Sequence, residues 1–207
     1  VSETTETLDK LRTIDPELLQ KYSKVFFLNE HYSPDELSSI DTEYLWDEKK
    51  DMQIHPLVKP YLEDMLSSAI KDGEISMYVV SAYRSFDDQS ALKSGYKISY
   101  GSGANRFSAD QGYSEHQLGT TVDLTVVGVG STLGGFEKTE GYKWLQDNAY
   151  KYGFVLSYPK GNSYYIFEPW HWRFVGRALA AKLYDEERSF YDLSQRQIDE
   201  YLIGIFD

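Results

Sequence analysis

The chain has 207 residues, 41% of them hydrophobic and 26% charged, a balance that fits one folded domain with a sizeable core and excludes wholesale disorder. A formal charge of −12 argues against nucleic acid as a partner, because a phosphate backbone needs a basic surface, and against an anionic membrane. There is no cysteine, which excludes disulfides and thiolate metal sites. There is also no apolar run of about 18 residues, the length that a membrane span requires.

The chain opens at Val1 in a polar Ser/Thr/Glu stretch, which reads as a sequence trimmed of a signal peptide or anchor. Residues 1–24 are expected to form a polar, partly helical lead-in interrupted at Asp15-Pro16, with the main domain at 25–207. Val25 to Leu28 suggests a short strand, and Ser33-Pro34 suggests a helix start with His31 just ahead of it as a surface or packing residue. Leu57, Val58, Tyr61, Leu62, Met65, Leu66, Ala69 and Ile70 recur at helical spacing, which predicts an amphipathic helix over 56–71 ended by Gly73. His55, before that helix, is expected to be structural. Ser76 to Ala82 reads as a strand that delivers Tyr83-Arg84-Ser85 at its end; Ser85 and Asp88 then open a helix as a capping box, with Gln89 in its first turns. Gly101 to Gly112 reads as a long loop.

Thr121 to Val127 is β-prone throughout. The glycine-rich stretch Gly128–Gly135 lacks the Lys-Ser/Thr ending of a phosphate loop. Tyr142, Leu145, Ala149 and Tyr152 share a helix face that ends at Gly153. The strand Phe154–Leu156 follows, then a hairpin turn at Pro159–Asn162 and a strand over Trp170–Phe174. Helices from Val175 and from a Ser194 cap complete the chain. The eighteen tyrosines suit sheet faces in the main and a sugar- or peptide-binding groove in part.

Two stretches carry chemistry. Ser114 to Asp123 contains His116 and, seven residues on, Asp123; Glu168-Pro169-Trp170-His171 supplies a carboxylate and a second imidazole. Two imidazoles and a carboxylate make a three-ligand zinc site with an open position, and a spare carboxylate beside it can act as a base. Asp123 lies inside a Val/Leu-rich strand, where a lone acid is costly unless paired or bound to a cation. Residues three apart on a flat strand face opposite ways, so Glu168 and His171 can share a site only if the chain bends at Pro169.

The pattern Ser114-x-His116-x-x-Gly119-x-x-x-Asp123, with Glu168-x-Trp170-His171, resembles the two signature motifs of the VanY/LdcB-type zinc carboxypeptidases. Ser81-Ala82-Tyr83-Arg84-Ser85 with Gln89 is similar to a third family element. The three occur in family order and cover roughly residues 25–190; Thr121 stands where the family commonly has alanine. The resemblance implies an α+β fold shared with lysostaphin-type peptidases and the hedgehog domain, with a small antiparallel sheet bearing a zinc site and flanked by helices. It implies Zn2+ held by His116, Asp123 and His171, Glu168 as general base and acid, and Arg84 facing the charge on the scissile carbonyl. Ser114 and Gln89 would bind substrate, with Trp170 packed beneath the site. The implied activity is removal of the C-terminal D-alanine from peptidoglycan stem peptides by a monomeric, extracellular, envelope-associated enzyme. L,D-carboxypeptidase, endopeptidase and hedgehog-like binding module are the alternatives.

Overall fold

The computed structural model describes residues 32–92, 114–163, 165–202 and 204–207. The expected lead-in, the strand at 25–28, His31 and the 101–112 loop lie outside these residues. A four-stranded antiparallel sheet organises the rest. Its strands are β3 (Met77–Ser81), β4 (Thr121–Val126), β5 (Phe154–Leu156) and β6 (His171–Phe174), in the spatial order β3-β4-β6-β5. A separate two-stranded pair, β1 (Ser38–Ser39) with β2 (Gln53–Ile54), precedes it. Around the sheet lie the helices α1 (Lys59–Gly73), α2 (Glu140–Asn148), α3 (Arg177–Asp185) and α4 (Gln195–Leu202). The α+β architecture is as expected.

The register sorts the side chains by face. Val79, Leu124, Val122, Trp172, Phe174 and Phe154 fall on one face through the pairs Val79–Leu124, Val122–Trp172 and Phe154–Phe174. That face is the core, and α1 packs on it: Leu62, Met65, Leu66 and Ala69 are fully buried, and Tyr61 meets Phe174 with ring centroids 5.0 Å apart. Each fully buried Leu or Met side chain contributes about 1.5–3 kcal/mol. The other face carries Thr121, Asp123 and Thr125 of β4 with His171 and Arg173 of β6; it is polar yet also buried, because loops fold over it.

A β-bulge lies between Val79 and Ser81, where two steps of β3 oppose the single step from Leu124 to Asp123. The extra residue switches Ser81 to the polar face, opposite Asp123.

Several expectations shift. The helix predicted over 56–71 starts at Lys59, because His55 to Val58 form a turn in which Val58 N–H donates to the His55 carbonyl, and Pro60 then takes a first-turn position. Gly73 is the last helical residue rather than the cap; Glu74 adopts the left-handed conformation with φ 54° and donates to Ala69 and Ile70. No helix starts at Ser33: residues 34–37 are irregular, and the Ser33 hydroxyl bonds the Pro34 carbonyl and Tyr83 Oη instead of capping. The turn at Pro159–Asn162 exists, with Asn162 N–H donating to Pro159 at 3.3 Å, but it sits within a longer connection rather than joining β5 directly to β6. The Ser85–Asp88 capping box forms as predicted, as does the Ser194 cap, whose backbone N–H meets Gln197 Oε1 at 2.9 Å. His55 is structural: its Nδ1 accepts from Leu57 N–H, and its ring stacks on Phe206.

Candidate metal centre

His116 lies on a one-turn 3-10 helix, Glu115–Leu118, whose four residues are all buried. Gly119 closes it at φ 71°, a conformation that favours glycine, and a Cβ there would also crowd Pro34 Cγ at 3.2 Å. The adjacent backbone is tied to the strand ends: Arg84 N–H donates to the His116 carbonyl and His55 N–H to the Gly119 carbonyl. Asp123 and His171 are direct cross-strand partners and therefore project side by side.

The expected bend is present. His171 N–H donates to the Glu168 carbonyl at 3.1 Å, closing a turn over Glu168–His171, and Trp172 Nε1 donates to the Pro169 carbonyl at 2.9 Å. Pro169 has no N–H to leave unpaired in this turn. The turn brings Glu168 Oε2 within 3.7 Å of His171 Nδ1. Two groups that a flat strand would set on opposite faces thus share one site.

His116, Asp123 and His171 each offer a ligand atom within 4.8 Å of the others. His116 Nε2 lies 3.3 Å from Asp123 Oδ2, and His171 Nδ1 lies 3.1 Å from Asp123 Oδ1. The two imidazoles stand nearly perpendicular, at 82°. The outer nitrogens show that the group suits a metal. His116 Nδ1 is 2.7 Å from the Ala82 carbonyl, which only accepts, so the proton sits there and Nε2 presents its lone pair inward. His171 Nε2 is 2.8 Å from Glu115 Oε2. A set of two imidazoles and one carboxylate matches catalytic zinc chemistry.

The electrostatics follow from burial and pairing. Burial pushes the His116 imidazole down, which favours the neutral form that a metal needs. Burial would raise the Asp123 carboxyl, but the charged His171 imidazole bonded to it outweighs that and holds it well below the usual range. His171 is depressed by burial, yet its bonds to Asp123 and Glu115 lift it to about 10. Glu168 is pushed up to about 7, chiefly by burial, a range in which a carboxyl can both take and return a proton.

All eight residues singled out from the sequence, namely Arg84, Gln89, Ser114, His116, Asp123, Glu168, Trp170 and His171, line one cavity of about 370 Å³. Arg84 is braced from two sides, Nη1 donating to Gln89 Oε1 at 2.5 Å and Nη2 to Ser81 Oγ at 2.8 Å, and it stands 4.0 Å from Asp123 Oδ2. Sequence reasoning did not find Glu115 or its partners Ser157, Arg173 and Tyr191, nor Tyr158, whose ring lies 4.8 Å from that of His171. A signal was there for Arg173: a cation in an otherwise aromatic strand demands a partner for the same reason as Asp123 does.

The comparisons with known proteins agree on one family. A family model described as VanY, D-alanyl-D-alanine carboxypeptidase, matches residues 51–177, more than half of the chain. YodJ of Bacillus subtilis strain 168, a provisionally assigned carboxypeptidase, is 35% identical over 193 residues, covering 87% of this chain and 68% of YodJ. A D-alanyl-D-alanine carboxypeptidase of Enterococcus faecium is 37% identical over 130 residues; these cover 61% of this chain but only 38% of that protein's length. Among solved structures, the LD-carboxypeptidase LdcB superposes with a TM-score of 0.72 at 33% identity, covering 86% of this chain and 82% of LdcB. The vancomycin-resistance D,D-pentapeptidase VanY, solved as a mutant with Zn(II), has a TM-score of 0.64 at 27% identity over 88% of this chain and 99% of that one. VanYB, solved with D-alanine-D-alanine, scores the same over 88% and 98%. Sheet, site and relatives thus converge, and this chain belongs to the VanY family of D-alanyl-D-alanine carboxypeptidases.

Proposed function

We propose that this chain is a zinc carboxypeptidase that removes the terminal D-alanine from peptidoglycan stem peptides ending in D-Ala-D-Ala. The observation that carries the reading is the convergence of three metal-ligand side chains, a buried carboxyl and a braced arginine on one cavity. His116, Asp123 and His171 would hold the zinc, and when bound the metal supplies Lewis acidity to water and to the scissile carbonyl. Glu168, beside the ligand atoms, takes the proton of the attacking water and returns it to the departing amine of D-alanine. Arg84 is held at the cavity wall, where its guanidinium faces the charge that develops on the carbonyl oxygen; one such fixed donor is worth ~3 kcal/mol. Ser114 and Gln89 bring hydrogen-bonding groups suited to the terminal carboxylate and backbone of the substrate, and half-buried Trp170 lines the same cavity. Stem peptides belong to the cell envelope, which is where the enzyme would act.

The likeness to LdcB supports a second reading, an L,D-carboxypeptidase that trims tetrapeptide stems. The two separate on synthetic substrates. Release of D-alanine from a pentapeptide stem, abolished by chelator, is expected, with Glu168→Ala retaining zinc but losing about 10²–10⁴ in kcat. Release from the tetrapeptide alone would transfer the assignment to L,D-specificity. A zinc-loaded chain that releases D-alanine from neither would refute the carboxypeptidase reading and favour an endopeptidase or a binding module.

A further inference from the structure

Glu115 is buried directly beside the metal centre, and the reaction scheme above makes no use of it. Its two oxygens have different partners. Oε1 accepts from Arg173 Nη1 at 2.8 Å and from the Tyr191 hydroxyl; Oε2 accepts from Ser157 Oγ at 2.7 Å and faces His171 Nε2 at 2.8 Å. Those four donors come from β6, the 3-10 turn Phe190–Asp192, the segment after β5, and the ligand imidazole itself. A carboxylate has about four lone-pair sites, so this one is filled.

His171 has two choices to settle before it can serve as a ligand: which ring nitrogen carries the proton, and which way the ring is turned about its Cβ–Cγ bond. Either wrong choice presents N–H or C–H, rather than a lone pair, to the site. A filled carboxylate can only accept, so the nitrogen that faces it carries the proton and Nδ1 is left to face Asp123. His116 is settled the same way by the Ala82 carbonyl, but through the opposite nitrogen. The carboxylate is itself fixed by Arg173, two residues beyond His171 on the same face of β6. One strand thus carries both the ligand and the cation that pins the group orienting it. Arg173 also cancels the charge of Glu115, so the orienting group adds no net negative charge beside the metal.

From this geometry we infer that Glu115 is the positioning residue of the metal centre, setting the tautomer and ring orientation of His171, while Arg173 and Tyr191 hold its carboxylate in place. The inference rests on the metal-site reading above but not on the choice of substrate.

The test is zinc affinity, measured by competition with a chromophoric chelator, together with the thermal stability of the chelated protein. Glu115→Leu combined with Arg173→Met removes the acceptor without stranding a buried charge. Zinc binding in that variant should weaken about 10- to 100-fold. Tyr191→Phe removes a donor to Oε1 and keeps the acceptor on His171; it should lower stability yet leave zinc affinity within about threefold of wild type. In the zinc-loaded wild type, the imidazole ¹⁵N spectrum should place the His171 proton on Nε2. Wild-type zinc affinity in the double variant would overturn the inference, and so would equal losses of affinity in both variants or a proton on Nδ1. If the double variant fails to fold, Tyr191→Phe and the ¹⁵N spectrum still decide. A wild type that binds zinc but releases no D-alanine would sink the proposed activity and leave this inference standing; one that binds no zinc would remove both.

Discussion

Asp123, Glu115 and Arg173 show what a charge inside this sheet requires. Each lies on the polar face of the β4–β6 pair or against it, and each is met by opposite charge or by filled hydrogen bonds. Thr121 lies on the same face and is treated differently: its hydroxyl is fully buried with no hydrogen-bond partner among the described residues. An unsatisfied buried hydroxyl costs about 1–3 kcal/mol, and valine replaces it at nearly equal volume. Thr121→Val is therefore expected to raise stability by about 1 kcal/mol with zinc content unchanged, as followed by thermal denaturation and metal analysis. A destabilised variant would show that the hydroxyl has a partner in solution.

At the level of elements, the site depends on how β5 and β6 are set against the helices. Gly153 joins the turn after α2 to β5 at φ 84°, and a Cβ there would lie 2.5 Å from Phe174 Cε2 and 3.2 Å from the Arg177 backbone nitrogen. Gly153→Ala would push on Phe174, three residues from His171 on the same strand. The expected cost is about 2–4 kcal/mol, from left-handed strain and overpacking together, read as a drop in the urea midpoint. A loss under about 0.5 kcal/mol would mean that the strand end yields without cost. The β3 bulge is the other decisive local feature, because without it Ser81 would face the core and could not brace Arg84.

For the whole molecule, the metal-ligand side chains come from separate elements: His116 from the 3-10 turn, Asp123 from β4 and His171 from β6. A bound metal would tie them together, and free zinc at about a thousand times its Kd would add ~4 kcal/mol to stability. Chelation should lower Tm accordingly, and zinc should restore it; a Tm indifferent to chelator would contradict the site. The chelated protein should also depend on pH in a definite sense. Asp123 and Glu115 are held below their unfolded values because ion pairing outweighs burial, so the stability they contribute is present above about pH 4–5 and lost as pH falls. His171 is lifted to about 10, so its contribution is complete below the unfolded value of about 6.5 and lost as pH rises through about 10. Maximum stability of the chelated protein is thus expected at roughly pH 5 to 6.5, measurable by denaturant titration across the range. A profile flat from acid to alkali would contradict the pairing.

Much of this was legible from local sequence. Apolar periodicity located α1 to within three residues, β-branched runs located β3 and β4, and Asp123 in an apolar strand together with Pro169 between Glu168 and His171 marked the cavity. These signals survive in one dimension because burial cost and backbone restriction act on the residue that carries them. Register, the bulge and the Glu115 network did not show, because each depends on which distant strands pair and with what offset. Whether Glu115 is a surface acid or the orienter of His171 is decided by Arg173, Ser157 and Tyr191, which lie 42 to 76 positions away in the chain. Glycine spacing was ambiguous for the same reason. Gly153 took the left-handed position as expected, whereas at the end of α1 Glu74 took it, because there the carbonyls of Ala69 and Ile70 meet the Glu74 N–H.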